Sequence, residues 1–528
     1  MGIRELIELD KAALLKYFAA LCIAWYIISS VTTWYKLRHF PGPFICKFSN
    51  LWSIYHQLAG DVGPAYLKLS KYNSPLVRTG PHFLVTTDAD VFKYVNGARS
   101  PYQRDPWWSV TRLDHKRSSL ADTLDIATHD SKKAKLAGGY SGREVNLESA
   151  IDEQIAKFAD TIRRKQIAKN KVDFASLSRF FTLDVITRLS YGKEFGWMEA
   201  DKDLYGYATE VNKVISISSM VADVSWLHPL VRWPFFNSMI KPDPRAETGL
   251  GKVIGFAEDN KDEKDMIGSF MRHGLNMLDI ENETLIQIFA GSDTTATVIR
   301  SVMLHLTATP RVCDAIFYVP DLRLKNEIKN AIPSGKVSTP ITFVQAQSLP
   351  YLQAVIWEGF RMRPAVTYGH FKVVPEGGDT IAGMWVPGGT AIGHSHFATM
   401  HEKRIFGDDA NVFRPERFLD DPNAQEMQRT VELVFGTGRW MCAGKQVALM
   451  ELNKVFWETF VALTRLVEVL NSGSGEQANQ FEQLLRQFDF QLVDPDKPGW
   501  KESSRVVFTH SDMWMKITEA ENQSQIVE

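Results

Sequence analysis

Cys442 stands in the stretch FGTGRWMCAGK, Phe435 to Lys445, between a hydrophobic run and a long helical pattern. A cysteine at the mouth of a helix meets backbone N–H groups and the positive end of the helix dipole. Arg439 and Lys445 add positive charge nearby. All three favour a thiolate. Gly436, Gly438 and Gly444 permit unusual dihedrals and let a large flat object approach the backbone. A thiolate is either a nucleophile or a soft metal ligand. The first use needs a histidine and an oxyanion hole. The second needs a metal and a tailored outer shell. An inert cysteine in a helix-capping turn would fit the same spacing.

A second cluster, AGSDTT from Ala290 to Thr295, interrupts an apolar helical pattern. Glycine inside a helix costs about 1 kcal/mol against alanine, and Asp and Thr are poor formers. Such a break in local consistency points to function, although a plain polar face would look the same. A third feature, Glu358-x-x-Arg361 in WEGFRMRP, puts two charges on one helix face. Alone it has almost no specificity. FRPERF follows, with Phe413, Pro415, Arg417 and Phe418.

The elements that must hold these residues are mostly helical. The segment Thr284 to Thr307 predicts one long helix, ended before Pro310. A second helical pattern begins at Cys442 and runs to about residue 470. Strand signals such as LVRTG and HFLVTT fall before residue 126, helical patterns dominate from about 129 to 310, and turns with short strands fill 364 to 434. NSGSGEQANQ, residues 471 to 480, reads as a polar loop, and the end after about 517 as frayed. No repeat and no internal linker divides the 528 residues.

Hydrophobic residues make up 45% and charged residues 23%, with a net charge of −2. That balance gives no argument for nucleic acid. Four scattered cysteines (Cys22, Cys46, Cys313, Cys442) make neither a disulfide framework nor a zinc ribbon. From Tyr17 to Tyr35 no residue is charged. As a helix this span covers roughly 28 Å, close to the hydrocarbon thickness of a bilayer. Acids before it (Glu5, Glu8, Asp10) fit a signal peptide poorly. Lys36, Arg38 and Lys47 follow it without an acid, which places the large domain in the cytoplasm. FPGPF, Phe40 to Phe44, stops the helix and stiffens a short connector.

The cysteine stretch resembles the haem-binding loop of the cytochrome P450 family: Phe435, Gly438, Cys442 and Gly444 stand at its pattern positions. The AGSDT, E-x-x-R and FxPxRF features occur in the family's order and separations, so the resemblance covers essentially the whole chain. It implies the cytochrome P450 fold, mainly α with a smaller β portion, preceded by a single N-terminal transmembrane helix. Residues 1–40 would be the anchor, with its span at about 17–35, and 41–528 the catalytic domain. Cys442 would be the axial ligand of haem b iron, with Phe435 shielding the sulfur and Gly436, Gly438 and Gly444 shaping the loop. One departure stands out. The family usually has arginine two residues before the cysteine, and here that residue is Trp440. Arg439 would reach a haem propionate in its place.

By the same resemblance Thr294 would hydrogen-bond bound dioxygen and Asp293 would feed protons through water. Ala290 and Gly291 would leave room for oxygen at a loosened turn. Glu358, Arg361 and Arg417 would form a buried structural triad. His129 and Lys133, at i and i+4 in HDSKK, and Lys372 in HFKVVP would contact the propionates. Lys132, Lys133, Lys135 and Lys445 would offer a basic face to an acidic reductase. PYQRDPWW (101–108), Phe289, Ala365 to Tyr368 and Phe508 would border the substrate pocket. SWLHPLVRWPFF (225–236) would be either core or a loop dipping into the bilayer.

No dinucleotide fingerprint is present: Met441 stands where a third glycine would be needed. Electrons would therefore come from NADPH through a separate cytochrome P450 reductase, with cytochrome b5 as an additional donor. The style of the motifs resembles fungal microsomal members of the pisatin-demethylase-like group. The expectation is an endoplasmic-reticulum haem-thiolate monooxygenase that tailors a lipophilic secondary metabolite. Two alternatives are a haem-thiolate isomerase or dehydratase working without O2, and a non-catalytic membrane haem binder.

Overall fold

A computed structural model describes residues 3–112, 117–143, 145–229, 265–308, 337–464, 489–494 and 500–518, with the single positions 233, 249, 252, 323, 324, 327 and 331. The 471–480 loop, the helix end beyond 464 and the tail after 518 lie outside the described residues. Counting helices of eight or more residues, the order is α1 (Ile3–Lys36), α2 (Leu51–Ala59), α3 (Ala89–Asn96), α4 (Ile126–Tyr140), α5 (Leu147–Thr161), α6 (Phe174–Tyr191), α7 (Tyr207–Ala222), α8 (Met277–Ala308), α9 (Pro350–Met362), α10 (Ala424–Val431) and α11 (Lys445–Thr464).

The long helix α8 starts seven residues earlier than its apolar pattern suggests, because the polar turn around Asp279 and Glu281 still closes backbone bonds. It also runs through AGSDTT without interruption. The expected loosened turn is absent there. The Thr294 hydroxyl donates to the Ala290 carbonyl at 2.6 Å instead, a bond that lets a poor helix former stay helical.

The main core lies between α5, α6, α8, α9 and α11, where Phe158, Phe181, Ile288, Val298, Val355 and Phe456 are buried together. At roughly 1.5–3 kcal/mol for each large side chain removed from water, this core dominates the folding energy. A five-stranded sheet flanks it: β1 (Val77–Arg78), β2 (Phe83–Thr86), β3 (Gln103–Arg104), β4 (Gly369–Val373) and β5 (Ala391–His394), in the order β1-β2-β5-β4-β3. Only β2 and β5 are parallel; the other neighbours are antiparallel. Two register facts matter below. Arg104 on β3 stands directly opposite Lys372 on β4. A bulge between Gly369 and Lys372 interrupts the β4–β5 pairing.

Within α1, Ala13–Lys36 is long and apolar enough to cross a membrane, with a mean hydropathy of 1.7 and little of it covered. Its C-terminal half still touches the domain. Tyr26 Oη and Ser30 Oγ donate to the Phe48 carbonyl at 2.8 and 3.4 Å. Between α1 and the domain lies a cavity of about 640 Å3, lined by Trp25, Tyr26, Ser30, Pro81, Trp226 and Gly389 among others. In the 225–236 segment Trp226 and Trp233 are exposed while His228 is buried on the Ala222 carbonyl. The exposed rings favour the loop reading over the core one for the positions described.

Candidate active site

The cysteine loop is built on tight turns. Gly436 and Gly438 both have positive φ, 74° and 61°. A Cβ on Gly438 would stand 2.6 Å from the Ala98 nitrogen, so this turn packs directly on the 96–98 backbone and tolerates only glycine. Gly444 is less constrained: a Cβ there would meet Cys442 Sγ and Tyr140 at 3.9 Å, ordinary contact. Helix α11 begins at Lys445, three residues beyond the cysteine. The Cys442 amide donates to the Phe435 carbonyl at 2.7 Å and closes the loop. The Phe435 ring packs edge-on against Phe360 of α9, at 5.1 Å.

Cys442 keeps exposed surface, yet the protein encloses its sulfur so fully that burial pushes the thiol up. Both hold when the exposed surface faces an internal cleft and not bulk water. The expected thiolate is a correction here. Amides of Gly444 and Lys445 and the charges of Lys133 and Lys445 pull the thiol down, but burial outweighs them. Arg439 is not among these contributors. Without a metal the sulfur is a thiol; a metal bound to it displaces the proton outright.

Arg439 is already engaged. It donates to Asp130 Oδ2 at 2.6 Å and to the Ala98 carbonyl at 2.8 Å, leaving only a buried Nε without a partner. Lys133 is engaged too: its Nζ donates to the Arg439 and Met441 carbonyls, both at 2.7 Å, and so braces the cysteine loop from α4. His129 lies against the Trp440 ring at 4.2 Å, and burial pulls it down to about 4.

Trp440 sits at the centre of what remains. Lys372 Nζ lies 3.5 Å and Arg104 Cζ 4.3 Å from its ring centroid. Arg104 donates to the Leu120 and Thr123 carbonyls and keeps a bare buried Nε. Lys372 Nζ is buried with no hydrogen-bond partner among the described residues. Burial first, then Arg104 and Arg439, pull this ammonium down to about 5. Like charges directly opposite on neighbouring strands repel, and a buried cation is costly unless paired. Indole faces recover only part of that cost. The arrangement calls for an anion. A haem fits: the Cys442 sulfur for its iron, and Arg104 with Lys372 for its carboxylates. Sequence reading placed Arg104 only at the pocket border; its register opposite Lys372 is what changes its meaning.

On α8, Ala290 is exposed and Thr294 half-buried, although most of the helix around them is buried. Gly291 points elsewhere. A Cβ on it would meet Ile186 of α6 at 3.0 Å, so the glycine serves the α6–α8 approach and not room for oxygen. Asp293 is buried in an ion pair. Its Oδ1 accepts from Arg179 Nε at 2.7 Å and from Arg300 at 3.4 Å. Beside Phe289 a cavity of about 110 Å3 is lined by Trp107, Ile215, Leu285, Val506 and Val507. Trp107 and Phe289 border it as expected. Phe508 is buried outside it, and Tyr368 is turned into a buried network on Asp223.

Glu358, Arg361 and Arg417 come together fully buried. Arg361 meets the Glu358 carboxylate with two bonds of 2.7 Å, and Arg417 Nε reaches both oxygens at 3.1 and 3.2 Å. The remaining guanidinium donors go to carbonyls of Met400, Phe406, Asp409 and Val412. The four lysines expected as a docking face all bond within the chain. Lys132 pairs with Glu283 and the Ser118 carbonyl, Lys135 with the Gly274 carbonyl and Lys445 with Glu432.

Residues 80–462 match the family model "Cytochrome P450". The chain is 38% identical over 523 residues to cytochrome P450 monooxygenase ABA1 of Pyricularia oryzae, covering 94% of this chain and 96% of that one. It is 38% identical over 505 residues to cytochrome P450 monooxygenase aba1 of Botryotinia fuckeliana, covering 92% of each. To pisatin demethylase of Fusarium vanettenii it is 28% identical over 470 residues, 85% of this chain and 89% of that protein.

Proposed function

This chain belongs to the cytochrome P450 family and is a monooxygenase, and from that premise we propose that it oxidises a lipophilic secondary metabolite at the endoplasmic-reticulum membrane. The observation that carries the reading is the pairing of an enclosed but accessible Cys442 thiol with two buried basic groups around Trp440, Lys372 with no hydrogen-bond partner among the described residues and Arg104 with a bare Nε. Haem b would be held through that sulfur and would supply the dioxygen chemistry. Residues 1–40 anchor the chain by α1, and 41–528 form the catalytic domain.

The chain's own residues divide the remaining work. Arg104 and Lys372 hold the haem carboxylates, and Trp440 spreads their charge over its ring. Lys133 and Gly436 fix the loop that presents the sulfur. Thr294, whose hydroxyl donates to the Ala290 carbonyl, would be free to turn that hydrogen into the site once the bond is released. Asp293, once released from Arg179 and Arg300, would pass protons inward through water. The apolar cavity beside Phe289 receives the substrate ring or chain, and its lining supports a lipophilic compound. Electrons come from NADPH through a separate reductase, with cytochrome b5 as a second donor. Hydroxylation is the default outcome; dealkylation needs no different motif.

Cys442→Ala is expected to abolish the reduced-CO absorption near 450 nm that a thiolate-bound haem gives. A variant that kept the band would end the proposal. Thr294→Ala is expected to uncouple NADPH consumption from product and release peroxide; unchanged coupling would remove Thr294 from oxygen handling. Metabolites compared between hosts with and without the active chain identify the substrate.

A further inference from the structure

Three histidines meet behind the cysteine loop, and no step above uses them. His370 follows Gly369 on the bulged strand β4, His394 ends β5, and His396 opens the next turn. The His394 and His396 ring centroids are 4.7 Å apart, those of His370 and His396 are 4.8 Å apart, and Phe92 packs on all three. His394 and His396 are buried. Each keeps a bare Nδ1 with no partner among the described residues.

The hydrogen bonds fix where the protons sit. Thr399 Oγ1 lies 2.8 and 2.9 Å from the Thr87 and Ser395 carbonyls, so its one hydrogen goes to a carbonyl. His394 Nε2, 3.1 Å from that oxygen, must then be the donor. For His396 the choice is between a bare nitrogen and a bare N–H at Nδ1. An orphaned buried acceptor is tolerated more readily than an orphaned donor. The proton therefore sits on His396 Nε2 and is donated to His370 Nδ1, 3.0 Å away. With its Nδ1 accepting, neutral His370 carries its own proton on Nε2.

That Nε2–H has no partner among the described residues. It lies against the Gly436 turn, 3.6 Å from where a Cβ on that glycine would stand. His370 is only half-buried by accessible surface, although protein encloses it, which is the same condition as Cys442. Lys372 and Arg104 are close enough to act on its charge. The backbone pays attention to this placement: His370 has φ 55°, a left-handed conformation that histidine rarely adopts, and the bulge beside it re-aims the side chain.

We infer that His370 is a further haem-positioning residue: its Nε2–H, oriented by His396, donates to a haem carboxylate beside Arg104 and Lys372. The inference rests on the haem-binding reading above. The neutral donor adds direction to two cations that would otherwise hold the carboxylate by charge alone. Losing a hydrogen bond to a charged group should speed haem escape by about tenfold or more.

The test uses the purified holoprotein and measures haem transfer to excess apomyoglobin. His370→Gly removes the donor and relieves the left-handed backbone. His370→Asn keeps a donor in a residue that accepts that conformation. His396→Phe removes the orienting partner and leaves the donor in place. The expected order is fastest loss in the Gly variant, by about tenfold. The Phe variant should be intermediate and the Asn variant close to the parent, with the carboxylate bending bands in resonance Raman shifting in Gly and Phe. Equal loss rates for Gly and Asn would overturn the inference, as would rates equal to the parent in all three. A parent protein that binds no haem, or shows no 450 nm band, would instead sink the haem-binding reading itself.

Discussion

Two groups of buried charge, one around Glu358 and one around Trp440, differ in one respect. Around Glu358, the guanidinium donors of Arg361 and Arg417 all find partners, on the Glu358 and Asp409 carboxylates, on carbonyls and on the Met362 sulfur, and the group is closed. Around Trp440, Arg104 and Lys372 face each other with no carboxylate between them. A closed group needs nothing from outside and can only serve the fold. An open group of one sign is unfavourable on its own and becomes favourable with a ligand of the other sign. The presence of basic residues cannot separate the two, since both groups bury two basic side chains. Pairing separates them.

The contrast can be broken at its closed end first. Glu358→Ala leaves two buried guanidiniums without their carboxylate, and should destabilise the protein by about 3–5 kcal/mol. The expected outcome is little or no soluble protein, with or without added haem, scored by yield and thermal melting. A well-folded variant would show that the group is not closed in the sense argued.

The open end should respond in the opposite direction. Lys372→Met removes a buried amine that lacks a hydrogen-bond partner among the described residues, and in the haem-free protein it should stabilise by about 1 kcal/mol or more. The same change should weaken haem retention. pH sharpens the point. Burial holds Lys372 down to about 5 in the folded chain, against about 10.4 when unfolded. Between those values the unfolded chain binds a proton that the folded chain does not, so stability should rise with pH across that window. Lys372→Met should flatten the slope, measured by denaturant titrations at several pH values.

The smallest effect belongs to the ring between the cations. Trp440→Leu removes the indole face from both Arg104 and Lys372, worth about 0.5–2 kcal/mol. The haem-free protein should lose that stability. The holoprotein, where the anion takes over, should lose less. Equal losses in both would mean that the ring packs without sensing the charges.

Sequence reading reached the closed group and only part of the open one. Glu358 and Arg361 share a helix turn, and Arg417 follows in its own short motif, so spacing and order suffice. The family pattern likewise marks Cys442 and its glycines. Arg104 stands 268 residues from Lys372 in the chain, and only strand register makes them neighbours. Asp293 shows the same limit. Its partner Arg179 lies on another helix, and no local pattern links them. Gly291 was misread for a related reason: a glycine that admits a neighbouring helix and one that admits a ligand look alike until the neighbour, here Ile186, is known. The three histidines offered one faint signal, the alternation GHSH at the end of β5.

The contact of α1 with Phe48 bears on how this protein should be handled at the bench. Trimming the N-terminus to gain solubility is a common design choice, and a cut at the FPGPF connector would delete Trp25, Tyr26 and Ser30 together. One wall of the 640 Å3 cavity would go with them, leaving Pro81 and Trp226 without the cover that α1 gives. A shortened version would then offer greasy compounds a different surface from the full-length chain, so the two should be screened side by side.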